Sequence, residues 1–201
     1  MVDYKFYRFV YRIAAPVICF FRPVNVIGRE NMIKGAAMVC SNHSALIDPF
    51  LVAIPFGYND PVHVIAKIEL YKNPIVSWFL KKMGMISVDR SINDIGSIKA
   101  SLDYLKKGEK VIIFPEGTRS SEYDMHAAKS GAVKLAERAG VPIIPVFVPR
   151  IKPFFKKSNI IYGEPYCIEK QKEKRHADDY AKLSEELMVK IQDLDPEGKP
   201  T

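Results

Sequence analysis

The sequence predicts an α/β protein, with a mostly parallel or mixed sheet flanked by helices and an amphipathic helical segment in front of it. Short β-like runs alternate with helical runs along most of the chain. Segment 141–148 is almost wholly apolar, which suits a strand covered by helices on both faces. The 201 residues, 48% hydrophobic and 26% charged, are enough to bury one substantial core.

The N-terminal segment, residues 1–22, sorts into separate faces when it is drawn as a helix. Its apolar face holds Phe6, Phe9, Val10, Ile13, Val17 and Phe20, its cationic face holds Lys5, Arg8 and Arg12, and Tyr4, Tyr7 and Tyr11 lie at the boundary. This combination is typical of a helix in a membrane interface, and packing on the protein's own core is the alternative. We expect Pro16 to kink or interrupt the helix. Residues 23–195 would then form the main domain.

The main domain is predicted element by element from its periodicity and its turn residues. The predicted strands are 36–40, 62–66, 85–88, 111–114, 141–148 and 159–162, and the predicted helices are 49–55, 74–83, 93–106, 129–139 and 177–194. Parallel strands point their carboxyl ends to one edge of a sheet, where sites gather. The segments that follow strands 36–40 and 111–114 are therefore expected to meet.

Composition limits the kinds of molecule that the chain is expected to bind and the compartment in which it is expected to work. The formal net charge of +7 favours phosphate groups, whether on nucleic acid, anionic lipid or a small substrate. No nucleic-acid-binding motif is visible, so nucleic acid is not expected. Cys19, Cys40 and Cys167 have no pairing or metal spacing, which fits a reducing compartment. No apolar run reaches the ~18–20 residues that span a bilayer, and no signal peptide is expected.

One candidate for chemistry is the pair His43 and Asp48, which follows the first predicted strand of the main domain. An aspartate that accepts a hydrogen bond from one ring nitrogen fixes the histidine tautomer and leaves the other nitrogen as a base. Ser44 is a candidate N-cap for the helix that follows. An isolated pair of this kind is more often a surface histidine beside an unrelated aspartate.

The second candidate is the turn 114–120, which reads Phe-Pro-Glu-Gly-Thr-Arg-Ser. Gly117 permits a sharp turn, Arg119 can grip a phosphate, and Glu116 can bind a substrate hydroxyl or hold Arg119. Lys67 and Arg90 end other predicted strands and are further phosphate ligands or merely solvated charges. A zinc site of His43, Asp48 and Glu116 lacks the usual ligand spacing, so no metal is expected.

The motifs together resemble those of the glycerolipid acyltransferases. The order is Asn42-His43 with Asp48, then 84–90, then 114–120, then the apolar block 141–145, and the resemblance spans about residues 20–170. Length and N-terminus look most like the small bacterial 1-acyl-glycerol-3-phosphate acyltransferases. The polar segment 120–131 departs from these relatives, where a Phe often precedes the lysine-glycine step, so the role of Lys129 stays open.

The resemblance implies a function. His43 would be the general base and Asp48 its orienting partner, while Glu116, Gly117, Thr118 and Arg119 would bind the acceptor, with Lys67 and Arg90 beside them. An acyl group would pass from acyl-CoA or acyl-carrier protein to the sn-2 hydroxyl of 1-acyl-glycerol 3-phosphate, giving phosphatidic acid without metal, cofactor or acyl-enzyme. The basic helix would hold the enzyme on an anionic membrane, at its cytoplasmic face.

Two alternatives remain from the sequence alone. One is an acyltransferase for another acceptor, such as glycerol 3-phosphate or another lysolipid. The other is a peripheral lipid-binding protein without catalysis, which would need the basic helix and the cationic turn but not His43. The sequence does not separate the two acyl donors, and it gives neither the acyl chain length nor the oligomeric state.

Overall fold

Seven strands form one sheet in the residues that the computed structural model describes, which are 2–92, 94–119, 128–169, 171 and 175–196. The strands are β1 Val24–Ile27, β2 Ala37–Ser41, β3 Val62–Lys67, β4 Ile86–Val88, β5 Lys110–Ile113, β6 Ile143–Phe147 and β7 Ser158–Tyr162. The helices are α1 Tyr4–Phe21, α2 Asp48–Ala53, α3 Pro74–Lys82, α4 Ile95–Lys106, α5 Gly131–Ala139 and α6 Ala177–Gln192. The α/β class predicted from the sequence is confirmed.

The strand order is β1-β7-β6-β2-β5-β3-β4. Every neighbouring pair is parallel except β6 and β7, so the sheet is mixed, as expected. Strand β2 lies near the centre, with Val39 beside Ile112 of β5 and Ile144 of β6. Strand β1 was missed from the sequence, because it is a four-residue strand at the sheet edge whose side chains are only half-buried or exposed.

Each face of the sheet carries its own hydrophobic core. Successive residues of a strand point to opposite faces, so Val39 packs into one core and Met38 into the other. The first core receives α2 through Leu51 and α1 through Ile18. The second core is closed by residues of α4, α5 and α6, namely Leu105, Ala132, Val133, Leu135, Ala136, Leu187, Met188 and Ile191.

The helix predictions are confirmed, with small shifts at their ends that have local causes. The helix expected at 93–106 begins at Ile95, because the Asp94 side chain caps it by accepting a 3.0 Å hydrogen bond from the Ser97 N–H. The helix expected at 129–139 begins at Gly131 and ends, as expected, before Gly140, which has a left-handed backbone.

Helix α1 is one continuous element, so the expected interruption at Pro16 is wrong. Pro16 and Arg12 are exposed, which lets water reach the backbone that the proline leaves without a helical hydrogen bond. The boundary tyrosines face the domain: Tyr7 is buried, and the Tyr11 hydroxyl donates to the Ile54 carbonyl at 2.5 Å. No helix in the described ranges is long and apolar enough to cross a bilayer.

Most of the apolar stripe of α1 faces away from the protein, although Phe6 packs against Trp78 and Phe79 of α3. Phe9, Ile13, Val17 and Phe20 are all more than half exposed. The internal-packing alternative is therefore correct for the tyrosine face and for Phe6, and not for the four exposed residues of the stripe. Membrane association of this stripe stays a prediction, as does the division into residues 1–22 and 23–195.

Candidate active site

The candidate residues gather at one edge of the sheet because the strands that carry them are neighbours. Strands β2, β5, β3 and β4 are adjacent and parallel. His43 follows β2, the turn with Glu116 follows β5, Lys67 ends β3, and Arg90 follows β4. The backbone N–H of His43 lies 3.4 Å from Glu116 Oε1, so the first two segments meet as the sequence predicted.

The catalytic candidates His43 and Asp48 are in contact. Nδ1 of His43 lies 3.0 Å from Oδ2 of Asp48. A carboxylate only accepts hydrogen bonds, so the proton of the neutral ring sits on Nδ1 and the lone pair on Nε2. The ring stacks on Phe114, with 4.1 Å between ring centroids, and 15% of the side chain is exposed. The imidazole is thus held on two sides while it remains open to a substrate.

Asp48 is fully buried in the first turn of α2. Its Oδ2 also accepts the backbone N–H groups of Ser44 and Ala45, both at 2.7 Å. Burial by itself raises the pKa of Asp48, but the donors from His43, Ala45 and Lys152 outweigh burial and hold that pKa below its ordinary value. Asp48 is therefore a carboxylate that orients the ring, and Ser44 is not the N-cap that the sequence predicted.

Lys152 completes this cluster, although no sequence motif pointed to it. Its ammonium lies 2.9 Å from Asp48 Oδ1 and 2.7 Å from Ser44 Oγ, and only 3% of its side chain is exposed. Burial lowers the pKa of Lys152, and the Asp48 carboxylate counteracts this effect. In sequence, a lysine in the connection after a strand looks like a solvated charge. Only the fold brings it to the other oxygen of Asp48.

Asn42 joins the same loop to the end of strand β6. Its side-chain amide donates to the Val148 carbonyl and accepts the Val148 N–H, each at 2.8 Å. Because β6 lies beside β2 in the sheet, this pair of hydrogen bonds fixes the start of the loop that carries His43. The segment after β6 therefore supports the site, through Val148 and Lys152.

Glu116 lies beside the backbone N–H of His43 and is 5% exposed. Burial raises the pKa of this carboxyl from 4.5 to about 7, against the opposing effects of the His43 N–H and Arg150. Its Oε2 is buried and has no hydrogen-bond partner among the described residues. A buried carboxyl beside the base, with one oxygen free to form a hydrogen bond, is suited to binding a hydroxyl.

The turn after Glu116 requires its glycine. Gly117 has φ +71°, and a β-carbon there would lie 2.9 Å from Cε of Lys129. Lys129, whose role the sequence left open, therefore packs across the turn. Thr118 and Arg119 are exposed at the end of this turn. Lys67, at the end of β3, and Arg90, just after β4, are exposed as well.

A cavity of about 540 Å³ adjoins the site between β4, the turn, α4 and α5. Phe114, whose ring stacks on His43, is part of its wall. Arg90, Gly117 and Lys129 line it, together with the apolar side chains Ile65, Val88, Ile98, Ile113 and Leu135. Its wall holds more cations than carboxylates, with Lys134 and Arg138 added to the two above against Asp89 and Asp94. This excess of cations beside an apolar wall suits a ligand that has a phosphate and a hydrocarbon part.

One histidine outside the predicted motifs has an acidic partner, which no motif spacing in the sequence indicated. His63 is buried, with Nε2 2.7 Å from Glu109 Oε2 and Nδ1 2.9 Å from the Gly84 carbonyl oxygen. It lies near the amino end of β3, away from the carboxyl ends of the strands where the candidate site lies, and it supports the core. His176 caps α6, and His126 lies outside the described residues.

Comparison with known proteins identifies several similar acyltransferases. The model of the family described as Acyltransferase matches residues 23–149. The 1-acyl-sn-glycerol-3-phosphate acyltransferase of Bacillus subtilis is 33% identical over 168 residues, which are 79% of this chain and 81% of the relative. The yeast (Saccharomyces cerevisiae) protein of the same name is 36% identical over 132 residues, 62% of this chain and 42% of that protein.

Similarity extends to a plant protein and to a solved structure. The chloroplastic 1-acyl-sn-glycerol-3-phosphate acyltransferase of Arabidopsis thaliana is 29% identical over 71% of this chain. The chain spans only 40% of that protein's length. The crystal structure of the 1-acyl-sn-glycerophosphate acyltransferase of Thermotoga maritima has a TM-score of 0.62 and 26% identity, over 95% of this chain and 78% of that one.

Proposed function

The chain belongs to the acyltransferase family, and from this premise we propose that it acylates the sn-2 hydroxyl of 1-acyl-glycerol 3-phosphate to give phosphatidic acid. The acyl donor is the thioester of acyl-CoA or acyl-carrier protein. The observation that carries the proposal is the contact between His43 and the buried Asp48, beside Glu116 and at an edge rich in cations. The names of the relatives support the choice of acceptor.

In the proposed reaction His43 acts as the general base. Its Nε2 takes the proton of the acceptor hydroxyl as the hydroxyl oxygen attacks the thioester carbonyl carbon. The tetrahedral intermediate then expels the thiolate, and the imidazolium returns the proton to the sulfur. The acyl group passes directly to the acceptor, so no residue of the chain is acylated.

Asp48 contributes by orientation and charge. Its hydrogen bond holds the neutral ring in the tautomer with a free Nε2, and its negative charge stabilises the imidazolium that forms during attack. Because the ammonium of Lys152 lies against Oδ1 of Asp48, the carboxylate stays ionised although it is buried. This arrangement keeps the ring of His43 fixed in position.

The cations at the strand ends would hold the acceptor phosphate. Arg119 is the main candidate because guanidinium binds phosphate through two parallel hydrogen bonds. Lys67 and Arg90 belong to neighbouring strands at the same edge, and Thr118 adds a hydroxyl. Glu116 would accept a hydrogen bond from the glycerol part of the acceptor, or donate one to it.

The acceptor and the product are lipids, so the enzyme is proposed to work on an anionic membrane as a peripheral or monotopic protein of the cytoplasmic face. The exposed stripe of α1 supports this, since it is apolar and flanked by Lys5, Arg8 and Arg12. Each such cation near an anionic leaflet contributes ~1 kcal/mol.

A radiolabelled acyl-transfer assay tests the proposed function. Purified protein is given acyl-CoA or acyl-carrier protein with a panel of acceptors: 1-acyl-glycerol 3-phosphate, glycerol 3-phosphate, and lysolipids with a capped phosphate. Label should appear in phosphatidic acid at the highest rate. Faster labelling of another acceptor would replace the proposed substrate, and no transfer to any acceptor would favour a lipid-binding protein.

A further inference from the structure

The connection between β6 and β7 carries exposed apolar side chains next to the candidate site. Ile151 is 84% exposed, Phe154 61% and Phe155 62%. Residues 149–157 contain four cations, Arg150, Lys152, Lys156 and Lys157, and no carboxylate. We call residues 149–157 the aromatic loop.

Phe155 is held in a backbone conformation that its residue type rarely adopts. It has φ +59°, in the left-handed region, and it is the one non-glycine residue with positive φ in the described part of the chain. Its N–H donates to the Phe21 carbonyl at 2.9 Å, which holds the strained position. A strained residue whose large apolar side chain stays 62% exposed gains less for folding than a buried one, which suggests that the exposed ring serves binding.

The aromatic loop is continuous with the exposed stripe of α1. The ring of Phe155 lies 5.8 Å from that of Phe20 and 5.6 Å from that of Phe21, measured between centroids. The guanidinium of Arg22 lies 3.7 Å from the centre of the Phe154 ring. The two surfaces therefore form one apolar area with cations at its margin.

The same loop is anchored to the candidate site. Lys152 contacts Asp48 and Ser44, while its neighbours on either side, Ile151 and Pro153, are exposed. Leu46, between His43 and Asp48, is also 70% exposed. A surface bound by the aromatic loop would thus lie next to the imidazole.

We propose that the aromatic loop is a second membrane-docking element, which inserts Ile151, Phe154 and Phe155 into the interface of an anionic bilayer and holds the site against the lipid. The apolar tip with flanking cations and no carboxylate matches the chemistry of such an interface. The proposal rests on the proposed function only for the choice of a bilayer as the partner. Docking itself does not depend on acyl transfer.

The test measures partition onto vesicles of phosphatidylethanolamine and phosphatidylglycerol by sedimentation, without acceptor or donor. The double variant Phe154→Ser with Phe155→Asn removes both rings, and Asn tolerates the left-handed backbone. A buried phenyl ring contributes about tenfold to a partition coefficient, so the double variant should partition roughly 10- to 100-fold more weakly. Its Tm should stay near that of the parent protein.

Val189→Ser is the matched control, because Val189 is an exposed apolar residue of α6 on the opposite face of the sheet. It should partition like the parent protein, and an equal loss there would overturn the proposal. Unchanged partition of the double variant would also overturn it, and accompanying loss of acyl-carrier-protein binding would identify a protein-docking surface instead. Should the double variant not fold, Phe154→Ser alone leaves the backbone at residue 155 unchanged and tests the same claim.

Acyl-transfer measurements separate this proposal from the proposed function. If the enzyme acylates 1-acyl-glycerol 3-phosphate, the double variant should lose rate on acceptor in vesicles and keep it on a short-chain acceptor dissolved as a monomer. Equal losses on both acceptors would contradict the docking role. If no acyl transfer is found in any variant, the proposed function fails, while the partition result still decides whether the loop docks.

Discussion

The ion pair of Asp48 and Lys152 gives the sharpest prediction about the architecture of the site. The perturbation is a double-mutant cycle of Asp48→Asn, Lys152→Met and the two together. In Asp48→Asn the new side-chain amide would turn its N–H groups toward the ammonium of Lys152, because its oxygen is needed by the N–H groups of Ser44 and Ala45. The double variant removes that conflict.

The size of the effect follows from the distance and the burial. The charged atoms are 2.9 Å apart, and the side chains are 0% and 3% exposed. With charge centres ~4 Å apart and an effective dielectric constant of about 20, their attraction is ~4 kcal/mol. Loss of one partner of a buried pair costs about 3–5 kcal/mol, but Asp48 keeps its other donors, so Lys152→Met should cost only ~2 kcal/mol. The coupling energy of the cycle should lie between the attraction of ~4 kcal/mol and the cost of ~2 kcal/mol, at about 3 kcal/mol.

Urea denaturation of the four proteins at constant pH measures this coupling. Both proteins that carry Asp48→Asn should also lose most acyl transfer, because the negative charge that stabilises the imidazolium of His43 is gone, whereas Lys152→Met should retain measurable transfer. Additive costs, with a coupling below about 0.5 kcal/mol, would refute Lys152 as the counter-ion of Asp48. Full activity in Asp48→Asn would refute the role of the Asp48 charge in stabilising the imidazolium.

Three further perturbations test the neighbouring parts of the site and the surface. Arg119→Ala should raise the acceptor KM about 10- to 100-fold and leave the donor KM nearly unchanged, and the reverse pattern would assign Arg119 to the donor. Because the native pKa of Glu116 is about 7, above its ordinary 4.5, the folded state keeps a proton that the unfolded chain has lost, so stability falls as the pH rises from about 4.5 to 7. Glu116→Gln should therefore gain ~2 kcal/mol relative to the parent between pH 5 and 8 in urea denaturation, and a pH-independent difference would contradict the raised pKa. Ile13→Glu, on the exposed stripe of α1, should weaken sedimentation with anionic vesicles about tenfold at an unchanged Tm, and undiminished sedimentation would remove the stripe from the membrane.

The parts of the fold that sequence predicts are those where local pattern and burial agree. The apolar run around Ile143 and the strand–helix alternation predicted a sheet covered by helices. A strand that is packed on both faces is apolar throughout, so its sequence pattern is easily recognised. Strand β1 escaped because Asn25 and its neighbours lie at an edge, where half the side chains meet water. The expected interruption at Pro16 does not occur, because Pro16 and Arg12 are exposed and water can reach the carbonyl that loses its helical hydrogen bond.

Some residues of the candidate site could be predicted from the sequence, and others could be found only from the fold. His43 and Asp48 are close in sequence, and the turn with Glu116 and Gly117 has its own spacing, so both could be recognised as motifs. Lys152 has no such signal, because its contact with Asp48 depends on β6 lying beside β2. The raised pKa of Glu116 likewise comes from burial, which no spacing records.

The most direct test of the account is the rate of acyl transfer to 1-acyl-glycerol 3-phosphate by His43→Ala, measured on protein with unchanged Tm and vesicle partition. Loss of a general base should lower kcat by about 10²- to 10⁴-fold without abolishing lipid binding. A variant that transfers acyl groups at the parent rate would remove His43 from the chemistry and contradict the proposed mechanism.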